Sequence, residues 1–496
     1  MYNYTAMYRR PSKKHELIKR IITYTAMTLS VLAIVSVLIL IILGYRIDSD
    51  NGRLEQGALL QFDSSPSGAA VTVDGKALGS TTSTKSTVLA GAHMLLIQKS
   101  GYQSWQKTVD VKAGTLTWLN YVLLIPTDHT AQSVASYQSL YSSLGTIDGK
   151  DMLVQQSSSV PTFQVVNLQS DDIKSTTITL PTTAYSEAAT PGMTHTFTIS
   201  QWDTGDRYVL IQHTYGDKKE WLVMDTKNVA ASKNVTTSLD LDISHIVFAG
   251  TSGNVLYALA GTDIRKLDLS AGTISRTLVS NVTSFDVYQP DVVTYTGTDP
   301  ADAAKSVVGF YRDGDDAPHV LRSVTTDPAV PLHIATTHYF NEDYVAIAQG
   351  NKVDITAGNY PSSGSDDNSS LAPFASFTFP TNVDTLSFST KGDYLRVQSG
   401  ATVMSYDIEH KLTSSYTLTA DADVTVTSLQ WLDDAHSWSD YGGNLIMREY
   451  DGANEVSLNS VVSDQGVALT QNDKYIYSLG KTATGYDLQR VRLILQ

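Results

Sequence analysis

The 496-residue chain has no cysteine. That excludes disulfides, thiolate metal sites, cysteine nucleophiles and an anchor built on a lipidated cysteine. A domain beyond a membrane must then rely on the size of its core, and the length permits one. Positive charge is scarce after the first residues. Positions 1–20 hold Arg9, Arg10, Lys13, Lys14, Lys19 and Arg20 against Glu16, a net of +5. With −15 overall, everything after them carries −20. Nucleic-acid affinity rests on Lys and Arg neutralising phosphates, so no nucleic-acid partner is expected.

Catalytic signatures are missing as well. There is no H-E-x-x-H, no Walker loop and no G-x-S-x-G elbow. "GTSGN" at 250–254 looks superficially like an elbow, but lying between short strands it reads as a hairpin turn. The eleven histidines form no i, i+4 pair in a helical context. Three acidic stretches, 312–319, 363–370 and 419–425, lack the alternating oxygens, fixed Gly and closing Glu of a calcium loop and read as solvated loops. No catalytic residue, metal site or cofactor is expected.

What the chain does have begins with "IITYTAMTLSVLAIVSVLILIILGY", 25 positions (21–45) without a charge. As a helix this spans about 37 Å, enough for a hydrocarbon core of about 30 Å. It is too long for a signal peptide, and no small-residue cleavage site follows it. The basic residues before it place the N-terminus in the cytoplasm and the rest outside. This gives a cytoplasmic tail over 1–20, a transmembrane helix over 21–45 and a linker over 46–58.

Next, 59–126 forms a small all-β unit of five to six strands. "ALLQFDSS" alternates as a strand, Pro66 and Gly68 make a turn, and Asp74-Gly75 marks a hairpin. Later apolar runs end at Gly91, Gly101 and Gly114. The order Pro66-Ser67-Gly68-Ala69, Val71-Thr72-Val73-Asp74-Gly75, Gly79-Ser80-Thr81, Gly91-Ala92-His93, Gly101-Tyr102 resembles the PEGA domain, a β module of bacterial surface proteins. Ser67 stands where that family has Glu, and Thr82 where a second Pro is common; both are loop positions. The resemblance implies a spacer or adhesive platform at the envelope surface. His93 reads as a strand residue, not a ligand.

From 127 to 496, short alternating runs recur between Asp/Gly turns. Repeats start near Val134, Phe197, Ile246, Phe285, Ala335, Leu386, Leu429 and Val467. Their spacing suits four-stranded propeller blades, for a ring of six to eight. In rhythm the region resembles WD40-like and TolB-like propellers, with "LQWLDDAHSW" and "FSTKGDYLRV" as examples. Trp438 and Tyr441 lie near an expected turn, where an exposed pair could stack on a sugar or peptide; equally, Trp438 could close a blade core.

The chain is therefore expected to be mainly β: one transmembrane helix, a PEGA-like β-sandwich and a β-propeller. Its expected role is a single-pass, extracytoplasmic binding scaffold of the bacterial cell envelope, with an envelope glycan or protein as partner. The alternatives are a glycan-processing enzyme with its site in the propeller channel, marked by facing carboxylates, and a purely structural spacer.

Overall fold

The computed structural model describes residues 13–42, 44–47, 54–187, 192–364, 370–418, 428–470 and 473–495. The chain divides into two compact units, Met1–Ile125 and Pro126–Gln496.

The first unit opens with helix α1, Lys13–Ile42, whose apolar window Glu16–Ile41 has a mean hydropathy of 2.4 and no buried surface within the protein. Its length and composition suffice to span a membrane. Thr23 Oγ1 donates to the Lys19 carbonyl at 2.9 Å. Bonding back to the preceding turn is how a hydroxyl is tolerated in such a helix. Gly44 ends the helix at φ +78°, and its N–H caps the Ile41 carbonyl at 3.0 Å, the left-handed stop that glycine adopts without a Cβ penalty.

Eight strands follow: β1 (Tyr45–Ile47), β2 (Leu54–Ser65), β3 (Ala70–Val73), β4 (Lys76–Thr81), β5 (Thr84–Leu89), β6 (Gly91–Gln98), β7 (Trp105–Val111) and β8 (Leu116–Leu123). One sheet runs β1-β2-β5, with β8 parallel to β2; the other runs β4-β3-β6-β7. Leu60 and Phe62 from the first sheet meet Val71, Leu95, Ile97 and Trp105 from the second in a single buried cluster. The 46–58 stretch, expected as linker, already carries β1 and the start of β2, paired through Tyr45–Gln56 and Ile47–Leu54. The Ser/Thr-rich run 76–89 shows no apolar alternation, yet it supplies two strands, so the module has more strands than its pattern suggests.

The Asp74-Gly75 hairpin has φ of +49° and +76°, as a two-residue primed turn requires. One Asp74 oxygen accepts from the Met94 N–H at 2.9 Å, and the other meets His93 Nδ1 at 2.6 Å. His93 Nε2 in turn donates to the Leu89 carbonyl at 2.8 Å. With acceptors on both ring nitrogens, the imidazole favours its doubly protonated form. Burial opposes that charge, but Asp74 and the Leu89 carbonyl outweigh it and raise the His93 pKa. Aspartate, glycine and histidine of the motif thus form one clamp, with His93 a strand residue of β6.

In the second unit the described residues form eight four-stranded antiparallel sheets. Seven are meanders in sequence order: blade 1 (142–179), blade 2 (195–234), blade 3 (245–274), blade 4 (282–325), blade 5 (332–378), blade 6 (385–417) and blade 7 (430–460). Blade 8 (468–492) supplies three strands, and the fourth is Gln132–Tyr137, paired to the strand Tyr486–Arg492 through Tyr137–Tyr486 and Ala135–Leu488. The first strand of the unit thereby completes the last blade and closes a β-propeller. Seven of the eight expected repeat starts fall on, or one residue before, an innermost strand. Val134 does not. It lies on the closing strand, and blade 1 begins instead at Ser142.

Buried clusters join neighbouring blades. Leu153 and Phe163 of blade 1 pack with Phe197 and Ile211 of blade 2, and Ala346 and Ile355 of blade 5 with Leu395 and Val397 of blade 6. Second strands sit between two such seams and so read as continuous apolar runs, as in "YVLI" and "VLYALA". Blade 2 also buries a charge. His213 and Glu220 are 0 % and 1 % exposed and meet at 2.8 Å, while the Ser186 N–H and hydroxyl donate to the same carboxylate at 2.8 and 2.7 Å. Burial alone would raise the Glu220 pKa, but these donors together with Asn234 hold it down at about 2.

Candidate binding surfaces

A cavity of about 360 Å³ is walled by the innermost strands of three successive blades, which places it on the channel side of the ring. Its lining includes Ser284, Phe285 and Asp286 of blade 4, His333 and Thr336 of blade 5, and Ser387 and Phe388 of blade 6. Solvent reaches the Asp286 side chain, but crowding by protein raises its pKa against the Val287 N–H bond and His245, which lower it. His245 stands edge-on to Phe285 at 5.1 Å. Burial and Lys219 lower its pKa, and Asp286 only partly offsets them. Burial likewise lowers His333, whose Nε2 is buried without a hydrogen-bond partner. These shifts all favour the neutral forms. Hydroxyls, two phenyl rings and titratable groups shifted towards their neutral forms suit an uncharged polar ligand better than an ion. Among the described lining residues Asp286 is the single carboxylate.

A second surface lies where blade 5 turns from its innermost strand to the next. Phe340 is 76 % exposed at φ +54°, a conformation costly for a bulky side chain. Tyr339 packs edge-on against it at 4.7 Å and donates to Glu409 of blade 6 at 3.2 Å. Burial raises the Tyr339 pKa, and so do the charges of Asp393, Glu409 and Asp407. Asp393 shares a hydrogen bond with Asp434 of blade 7; burial first, then that bond and charge, push one carboxyl up to about 8. Lys391 offers its backbone N–H to Asp434 at 2.8 Å. His410 is bound to Asp407, and Lys411 lies over the Phe374 ring at 4.5 Å. Exposed Phe340, backed by half-buried Tyr339, thus stands beside carboxylates crowded enough to hold a proton.

Trp438 and Tyr441 do not form an exposed pair. Trp438 is buried in the second strand of blade 7, between Gln430 and Met447, and Tyr441 is half-buried where that strand meets the Gly442-Gly443 turn. As a second strand, His436–Tyr441 is buried on both faces over its first four residues, tryptophan included. The stretch 312–319 is not a freely solvated loop either. Asp315 is buried, bonded to His319 at 3.0 Å and to the Gly364 N–H at 2.7 Å, and Arg312 pairs with Asp291 at 2.9 Å. Residues 365–369 and 419–427 lie outside the described residues, so most of the other two acidic stretches is not described. Among the described residues no group of three or more His, Asp or Glu is arranged to hold a metal. At 250–254 the chain makes a turn between paired strands, with Gly253 at φ +62°. Phe340 was hidden in the sequence because "THYFNEDY" reads as unbroken strand; its one signal was the Asn341-Glu342 pair after it.

The PEGA domain family model matches residues 58–125. No curated protein sequence matches the chain. Among solved structures, the chain is similar to the β-propeller domain of Cps50 (Swd1) from Myceliophteria thermophila, at 11 % identity and a TM-score of 0.38, covering 68 % of this chain and 100 % of that one. It is also similar to Hsv2 of Kluyveromyces lactis, at 11 % identity and 0.39, covering 72 % and 99 %. A third, U3-55K, is 8 % identical at 0.36, covering 73 % and 98 %. At such identities the likeness concerns fold alone, and the propeller assignment rests on the eight sheets and their closure.

Proposed function

We propose that the protein is a membrane-anchored scaffold of the bacterial cell envelope that displays a propeller binding module on the extracytoplasmic side. The charge asymmetry around α1 supports that orientation, and the PEGA module supports an envelope setting. The observation that carries the binding reading is Phe340, exposed over half-buried Tyr339 amid Glu342, Glu409, Asp393 and Asp434. A rim of this charge fits a basic protein segment that brings an apolar anchor.

A photo-crosslinking residue at position 340 of the full chain in native membranes should capture a basic partner. Capture should fall as salt rises and disappear with Glu409→Lys. Salt-independent labelling would remove this surface from consideration. External protease on spheroplasts should digest the distal region and spare an N-terminal tag; the reverse pattern would overturn the orientation.

The channel cavity supports a second reading, in which an uncharged glycan or peptide segment binds beside Asp286 and His333. Binding there should leave the ligand chemically unchanged. Turnover of a wall polymer, abolished by Asp286→Asn, would replace the scaffold reading with an enzymatic one.

A further inference from the structure

The module sheet that holds β2 carries an exposed apolar pair. Leu116 and Trp118 stand at alternate positions of β8 and are 50 % and 49 % exposed, while Leu119 turns into the core. The register sets Leu116 beside Leu59, and Trp118 beside Gln61, which in turn meets the exposed Lys85 of β5. Among the described strands β8 pairs with β2 alone, so the pair lies at a sheet edge. The indole N–H is already held by Asp63 Oδ2 at 2.6 Å. What Trp118 has left to offer is the apolar part of its ring.

The end of α1 fixes where this pair is held. The Gly57 N–H donates to the Gly44 carbonyl at 2.9 Å, and the Gly114 N–H donates to the Gly57 carbonyl at the same distance. The approach needs glycine in the middle, since a Cβ on Gly57 would come within 2.9 Å of the Val88 carbonyl oxygen and 3.3 Å of that of Gly44. Helix end and β8 are thus joined backbone to backbone. Gly44 lies three residues past Ile41, where the apolar window ends, or about 5 Å further at helical rise. The headgroup layer beyond the hydrocarbon is about 5–8 Å deep, so the joint sits within it.

Register then gives the direction. β1 leads the chain away from the helix, pairing Tyr45 with Gln56 and Ile47 with Leu54. β2 runs the opposite way, and β8 is parallel to β2. Measured from Gly57, Leu116 and Trp118 therefore lie on the side opposite to β1, about 7 and 13 Å along the strands. The exit strand leaves the bilayer, and the apolar pair is carried back towards it.

We propose that this face of the module rests on the lipid surface. Leu116 and Trp118 enter the boundary between headgroups and acyl chains, and Lys85 meets headgroup phosphates. The inference rests on α1 spanning the bilayer. Tryptophan is enriched at this depth, and a face tethered at the surface needs little affinity of its own to stay there. A soluble partner would have to reach into the layer that headgroups fill.

The test uses the full chain in nanodiscs of phosphatidylcholine and phosphatidylglycerol, with or without bromine near the headgroup end of the acyl chains. Bromine quenches tryptophan on contact, and of the six tryptophans Trp118 is the one placed to meet it. Brominated discs should therefore lower the emission. Trp118→Phe should abolish that loss, and Leu116→Trp added to it should restore it. Leu38→Trp in the Trp118→Phe background reports on α1 and should be quenched as well. Quenching at 38 with none at 118 or 116 would overturn the proposal and leave the anchor standing, whereas quenching at none of them would overturn both. Shielding of Trp118 from bromine and from aqueous acrylamide alike would mean that protein covers the face, which also overturns the proposal.

Discussion

The module and the ring close their sheets by opposite means. In the module, β2 pairs with β5 and β8, and one Asp74–His93 clamp fastens a hairpin across 19 positions. In the ring, closure waits for Gln132–Tyr137 to find Tyr486–Arg492, at a separation of about 350 residues. Local closure writes itself into the sequence as a motif, because the same few residues must bond each other. Distant closure leaves only a strand pattern that fits many partners.

The contrast breaks most sharply at Tyr137, which is 6 % exposed in the cluster joining blades 8 and 1. Tyr137→Ala should destabilise the ring by about 4 kcal/mol while leaving the module's calorimetric transition in place. Tyr137→Phe should be nearly neutral, since the hydroxyl is buried without a partner. A common drop in both transitions would show that the two units unfold together.

A slightly smaller effect is expected at Glu220. Glu220→Ala would leave His213 and Ser186 without their buried acceptor, at a cost of about 3 kcal/mol. The pH dependence has a definite sign. The folded pKa, about 2, lies below the usual 4.5. The stabilisation is therefore complete above pH 4.5 and fades as the pH falls towards 2. Acid titration of the ring followed by tryptophan fluorescence should lose that slope in Glu220→Gln.

In the module, Gly75→Val puts a β-branched residue at φ +76° and should cost about 1 kcal/mol or more, confined to the module. His93→Gln sharpens the point. Because the His93 pKa is raised, the clamp is complete below pH 6.5 and is lost as the pH climbs through the folded value. The variant should remove that alkaline slope from the module's melting curve.

The smallest effect concerns Asp393 and Asp434. A folded pKa of about 8, against the usual 3.8, means the shared proton favours the folded ring at low pH, and this stability is lost as pH rises through 8. Asp434→Asn should leave the ring's melting temperature unchanged below pH 3.8 and raise it increasingly as the pH climbs from there to about 8. A gain as large below pH 3.8 as at pH 8 would mean no proton is shared.

Much of this was legible in the residues. Pro66, Asp74-Gly75 and Gly91-Ala92-His93 announced the module because each is tied to a fixed turn or bond. Phe197, Ile246 and Leu386 announced blades because each stands in a short strand run that an Asp- or Gly-containing turn ends. Val134 misled because its alternation is a genuine strand signal, and periodicity does not name a strand's partner. The innermost strand of blade 1, "SSLG", carries too little apolar pattern to correct the error. The buried Trp438 and the exposed Phe340 show the same limit from the other side. Which face of a blade meets a neighbour depends on the next blade along the chain, and a local pattern does not show how that blade packs.

The borrowed strand of blade 8 has a consequence for biogenesis. A chain synthesised from its N-terminal end delivers 132–137 early and 486–490 much later. Throughout that interval the early strand is an unpaired edge, open to capture by a neighbouring chain. A copy cut short before 486 would keep that edge exposed, along with an unfinished final blade. Ring closure is thus complete only in molecules whose synthesis has run past the final blade.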